Sequence, residues 1–263
     1  MKAFLTALCF LAVLSSAVAQ NPQAELTAKA GLNQQMKAQV PLNLPFRDEH
    51  GTAVRLGNYF GVNPLVLVLA YYQCPNLCTL VLNALLQTAQ DLQFDVGKQY
   101  QILIVSIDPH ESPALAAAKK QIYIQRYGRP GTEDGWHFLT GDEAAVQQLA
   151  QSIGYRFVYD PQTRQFAHPS VITVLTPVGK VSRYFAGIEY PPNEVRLALV
   201  EASNSHIGSL TDQLFLLCFH YNPTSGKYGL VVTRVIQFGG LSTVLVLGTL
   251  IILMIRRESS AGS

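Results

Sequence analysis

Charge is what this sequence has least of. Only 14% of its 263 residues are Asp, Glu, Lys or Arg, and the formal net charge is +2. That is low for a water-exposed protein, yet not low enough to place the whole chain in lipid. Neither a Lys/Arg cluster nor an aromatic–basic stripe occurs, which excludes nucleic acid as a partner on sequence grounds. There is no strong internal repeat, no Gly-rich nucleotide loop and no G-x-S-x-G elbow. Cysteine is sparse as well: Cys9, Cys74, Cys78 and Cys218 are all there is.

The uncharged stretches lie at the two ends. "MKAFLTALCFLAVLSSAVAQ" offers Lys2, an apolar core from Ala3 to Leu14, and the small-x-small pattern Ala17-Val18-Ala19 before Gln20. This predicts a secretory signal peptide over 1–19. Cys9 lies inside it and lacks the small preceding residue that a lipid-attachment cysteine needs. At the other end, Val235 to Ile255 is uncharged for 21 residues and stops at Arg256-Arg257. At 1.5 Å per residue that run is about 30 Å long, the thickness of a bilayer core. It predicts a transmembrane helix, with the arginines holding a tail, 256–263, in the cytoplasm. The expected placement is therefore a single pass through the inner membrane, with the main domain in the periplasm. Three cysteines remain after signal removal, so at least one stays outside any intramolecular disulfide.

Between the ends the expected organisation is a polar segment at 20–43, an α/β domain at 44–202 and a juxtamembrane segment at 203–234. Pro64 to Tyr71 is continuously apolar and predicts a strand covered on both faces. "TLVLNALLQTAQDL" then carries leucines at helical spacing. "YQILIVSID" and "ALAAAKKQIYIQRYG" repeat the order, with Gly128 as the helix stop. "WHFLTGDEAAVQQLAQSIG" predicts a short strand and a helix capped by Thr140 or Asp142 and stopped by Gly154. "YRFVYD" follows. "SVITVLTPVGKVSRYF" reads as two strands around Pro177-Val178-Gly179, and Pro192 opens a last helix. This alternation predicts a sandwich around a mixed sheet. Beyond it, "LFLLCFHY" predicts a strand with "NPTSGK" as its turn.

Chemistry concentrates at "CPNLC", Cys74 to Cys78. If the helix starts near Cys74 with Pro75 at its first position, the two sulfurs share one face. The free amides and positive end of the first turn favour thiolates. Two adjacent thiolates make half of a soft-metal site suited to Cu(I) or zinc. The spacing also permits a reversible redox pair or a structural disulfide, and it leaves all three open. A third ligand must come from elsewhere. His50, His110, His137, His168, His206 and His220 are the candidates; His168 stands just before a strand, where its loop can approach the end of the first central strand. Cys218 and His220 share a strand face at i,i+2, but two residues make no complete site.

Taken together, these blocks resemble the Sco/SenC family of thioredoxin-fold, membrane-anchored copper proteins. The likeness runs roughly from Leu44 to Ala202. "CPNLC" matches the family's Cys-Pro-x-x-Cys core, "VSIDP" (Val105–Pro109) its second strand and turn, and "WHFLTG" a further block. His168 stands where the family has its single copper-ligating histidine, and "TPVGKVSRYFAG" follows. The resemblance implies a thioredoxin-like three-layer sandwich in which Cys74, Cys78 and His168 bind one copper, as Cu(I) or Cu(II). It implies a role in assembling the binuclear copper centre of cytochrome c oxidase, with the oxidase's copper-bearing subunit as partner. An upstream copper donor and a thiol reductant would serve it. Some members look like thiol–disulfide reductases, in which Cys74 and Cys78 would be the redox-active pair. The chain departs from the family at Asn76 and Ala167, where Asp is usual, at Pro169, and at "HES" (His110–Ser112), which replaces a charged Arg-Asp with one residue fewer. Its anchor follows the domain, where the family's usual anchor precedes it.

Overall fold

The apolar run at 65–70 forms a strand buried at all six positions, which requires cover on both faces. The computed structural model describes residues 29–74, 77–204, 219–222 and 227–230, together with 240, 242–245 and 247–249. In chain order the elements are β1 (Gly31–Leu32), β2 (Pro45–Arg47), β3 (Ala53–Arg55), β4 (Leu65–Ala70) and α1 (Leu77–Asp91). There follow β5 (Gln101–Ser106), α2 (Pro113–Tyr127), β6 (Trp136–Leu139), α3 (Glu143–Ser152) and β7 (Tyr155–Arg156). The remainder are β8 (Val158–Asp160), β9 (Gln165–Ala167), β10 (Val171–Leu175), β11 (Val181–Ala186), α4 (Pro192–Ala202), β12 (Phe219–Asn222) and β13 (Lys227–Leu230).

Five strands form the central sheet in the order β11-β10-β4-β5-β6. β4, β5 and β6 are parallel, while β10 runs antiparallel to both β4 and β11. α1 packs against α2 and α4; α2 lies on β6 and α4 on β10 and β11. The α/β thioredoxin-like sandwich expected from the sequence is the architecture observed.

Local signals explain most boundaries. Ser112 accepts a hydrogen bond from the Leu115 amide, Pro113 opens α2, and Gly128 ends it at φ 70°. Asp142, and not Thr140, caps α3 by accepting from the Ala145 amide at 2.8 Å. "YRFVYD" splits in two: Leu32 pairs with Tyr155 in β1–β7, whereas β8 turns back onto β9. The split follows from the segment ahead of the sandwich. Its Asn33, Lys37 and Val40 amides donate to the carbonyls of Gly154, Val181 and Gly179.

The C-terminal expectation is corrected. No described helix is long and apolar enough to cross a membrane. A span needs about 20 consecutive apolar residues in one helix. Of the run 235–255, residues 240, 242–245 and 247–249 are described, all in helical conformation. The segment is also rich in glycine and β-branched residues, which weaken helices. The transmembrane helix and the single-pass inner-membrane placement fall together. The predicted signal peptide, the tail at 256–263 and most of 203–234 lie outside the described residues. Of the predicted turn "NPTSGK", Asn222 and Lys227 are paired strand residues and 223–226 lie outside the described residues.

Candidate metal centre

Cys74 and Cys78 sit where the first parallel strand of the sheet runs into the first helix. Leaving β4, the chain makes a short loop that a buried carboxylate holds in place. Glu111 accepts from the amides of Tyr72 at 2.8 Å and Gln73 at 2.7 Å, and from the Ser106 hydroxyl at 2.6 Å. Cys74 comes next. The described helix runs Leu77–Asp91, with Cys74 just ahead of it; Pro75 and Asn76 lie outside the described residues. Cys78 belongs to the first turn, whose amides have no partner within the helix. The Cys74 sulfur fills that role, accepting from the Cys78 amide at 3.4 Å. The sulfurs meet because one caps the turn that carries the other.

His168 arrives from the opposite direction. Ile172 of β10 pairs antiparallel with Val68 of β4. Counting outward along that register brings residue 168 level with the loop after β4. There His168 Nε2 lies 2.9 Å from Cys78 Sγ. The ligand atoms of Cys74, Cys78 and His168 all lie within 4.8 Å of one another, and theirs is the one such group among the described residues. Tyr71 packs edge-on against the His168 ring, and Tyr155 stacks beside it.

The triad fits a metal ion. With metal–sulfur bonds of about 2.3 Å and metal–nitrogen bonds of about 2.0 Å, two ligands of one ion stand up to about 4.6 Å apart, close to the 4.8 Å within which all three atoms lie. Both sulfurs are nearly inaccessible, at 7% and 1% exposure for Cys74 and Cys78. Their ionisation is unequal. The hydrogen bond with Cys78 is the largest influence lowering Cys74, to about 3, against the opposing effect of burial. The same bond pushes Cys78 far above the ordinary thiol range, and burial adds to it.

The other histidines are elsewhere. His50 and His110 are exposed beside Glu49 and Asp108. His137 hydrogen-bonds Gln101 at 3.0 Å. His206 and Cys218 lie outside the described residues, and His220 falls in β12. Three residues that pattern reading did not single out bear on the site: Tyr71, Glu111 and Tyr155. Glu111 had a faint signal, since it sits in the "HES" departure.

A thioredoxin-like sandwich with a Cys-x-x-x-Cys pair and a facing histidine defines a narrow class. The SCO1/SenC family model matches residues 34–202, and the chain belongs to that family. Among solved structures it is similar to a proposed electron transfer protein from Aquifex aeolicus VF5. The two share 25% identity at a TM-score of 0.57, over 65% of this chain and 96% of that one. A proposed electron transport protein from the same organism matches at 25% identity and TM-score 0.53, over 64% and 98% of the two chains. BsSco, described as a member of the Sco family of cytochrome c oxidase assembly proteins, shares the fold at 20% identity and TM-score 0.51, over 65% and 98%. No curated protein matches the chain.

Proposed function

We propose that this chain is a copper chaperone that holds one copper ion per domain on Cys74, Cys78 and His168. Its task would be to deliver that ion to, or help mature, the binuclear copper centre of cytochrome c oxidase. The observation that carries the reading is the convergence of two thiols and one imidazole within 4.8 Å at one end of the sheet. Family membership supports the copper-binding role in general terms; the oxidase as recipient is the finer step. Two thiolates and an imidazole suit Cu(I), and a water or further ligand would extend the set for Cu(II). Both sulfurs bind metal as thiolates, so affinity rises with pH. Because copper is cargo here, release proceeds by ligand exchange with the recipient. Oxidation of Cys74 and Cys78 to a disulfide removes both sulfur ligands at once, which is why a thiol reductant is expected upstream.

One observation favours a second reading. The Cys74 sulfur accepts from the Cys78 amide and ionises more readily than Cys78, the inequality a thiol–disulfide reductase uses to attack a partner's disulfide and resolve the mixed species. Titrating the reduced chain with Cu(I) separates the two. A chaperone binds one copper, and His168→Ala weakens binding by about 100-fold or more, beyond the effect of losing an outer-shell contact. Rapid disulfide exchange with no copper affinity favours the reductase and overturns the chaperone reading.

A further inference from the structure

Tyr155 is 2% exposed, and its hydroxyl sits among three polar atoms. The Leu69 carbonyl, the Pro169 carbonyl and His168 Nδ1 each lie 3.0 Å away. A phenol has one proton to donate. Both carbonyls can only accept. Were Nδ1 also an acceptor, the hydroxyl would face three lone-pair centres with a single hydrogen. The conflict disappears if Nδ1 carries a hydrogen: the ring donates to the phenol oxygen, and the phenol donates to a carbonyl. In a neutral imidazole Nε2 then bears the lone pair, and Nε2 is the atom 2.9 Å from Cys78 Sγ.

We propose that Tyr155 is a positioning residue for the metal centre: its hydroxyl selects the Nδ1–H tautomer of His168 and holds the Nε2 lone pair toward Cys74 and Cys78. The phenol is well placed for this. Leu69 lies in the strand that runs into the cysteine loop, while His168 and Pro169 precede β10. One oxygen therefore ties both sides of the site to a common point. Burial pushes Tyr155 ionisation well above the ordinary phenol range, so the group stays a neutral donor. The Pro169 carbonyl, 3.1 Å from Nδ1, is a second acceptor for the same hydrogen. A variant that removes only the phenol oxygen shows what Tyr155 itself supplies.

The inference rests on the triad being the copper site, but its first measurement needs no metal. Nitrogen NMR of the reduced, copper-free full chain reports the His168 tautomer, and competition with a chromophoric chelator reports Cu(I) affinity. In the native chain the Nδ1–H form is expected. Tyr155→Phe should bring in the Nε2–H form and lower Cu(I) affinity about 10- to 100-fold. Tyr184→Phe, which removes a buried hydroxyl bonded to the Ile153 carbonyl, should change neither. A native chain with Nε2–H on His168 overturns the proposal without any variant. So does Tyr155→Phe with an unchanged tautomer, or with an altered tautomer and unchanged affinity. A native chain that binds no copper defeats the chaperone reading, and the tautomer comparison still decides whether Tyr155 sets the histidine.

Discussion

The two ends of the parallel strands are built from similar residues and used in opposite ways. At the ends where β5 and β6 begin, the polar groups serve the fold. Arg129 donates to the carbonyls of Gln90, Leu92 and Phe94 and pairs with Asp95. His137 is bonded to Gln101 and packed on Tyr59, and the backbones of Gly97 and Gly135 touch. At the ends where β4 and β5 finish, the backbone is equally well held, by Glu111. Yet there two sulfurs and a ring nitrogen are turned toward one another. A half-buried histidine is present at both ends. What separates them is whether its neighbours already consume its nitrogens or leave one facing soft donors.

Closing the packed end further should have the largest effect on stability. A Cβ on Gly135 would lie 2.2 Å from the Gly97 nitrogen and 2.4 Å from its Cα. Backbone cannot yield as a flexible side chain does, so Gly135→Ala should cost about 3 kcal/mol or more in urea denaturation. An unchanged midpoint would break the contrast from that side. At the reactive end, Glu111→Gln keeps the volume but replaces one accepting oxygen with a donor. The Tyr72 and Gln73 amides approach different oxygens of Glu111, so one loses its acceptor. The expected loss is about 2 kcal/mol, the size of a hydrogen bond to a charged group. Because the loop carries Cys74, copper affinity should fall with stability in this variant, whereas Gly135→Ala should leave the affinity of the folded protein intact.

The sandwich was largely legible because its signals are local. Continuous apolar runs marked β4 and β5, and Ser112, Gly128, Asp142 and Pro192 punctuate the helices where they stand in sequence. The triad was half legible. Cys74 and Cys78 announce themselves by spacing, but His168 became a candidate through its position before a strand and through the family resemblance, since 90 residues separate it from Cys78. Tyr155 and Glu111 were not legible as site residues. Their roles depend on register and on which carbonyls and amides reach them across the sheet. The membrane helix failed for a related reason: hydropathy over 235–255 measures composition, and no described helix is long and apolar enough to cross a membrane.

The smallest expected effect concerns His137, the counterpart of His168 at the packed end. Burial is the main cause lowering its ionisation to about 4, and the nearby Lys120 charge adds to it. In the unfolded chain the imidazole returns to about 6.5. Between those values the unfolded state binds a proton that the folded state refuses, so stability rises with pH across this window. His137 therefore contributes nothing adverse above about pH 6.5 and erodes stability progressively as pH falls toward 4. His137→Gln removes the titrating group while retaining a polar side chain opposite Gln101. Its stability in urea should fall less than the native protein's between neutral pH and the acid end of that window. The same variant should bind Cu(I) as the native chain does. A matching acid slope in both proteins would mean that burial and the Lys120 charge do not hold His137 neutral, and the two histidines would then differ less than their surroundings imply.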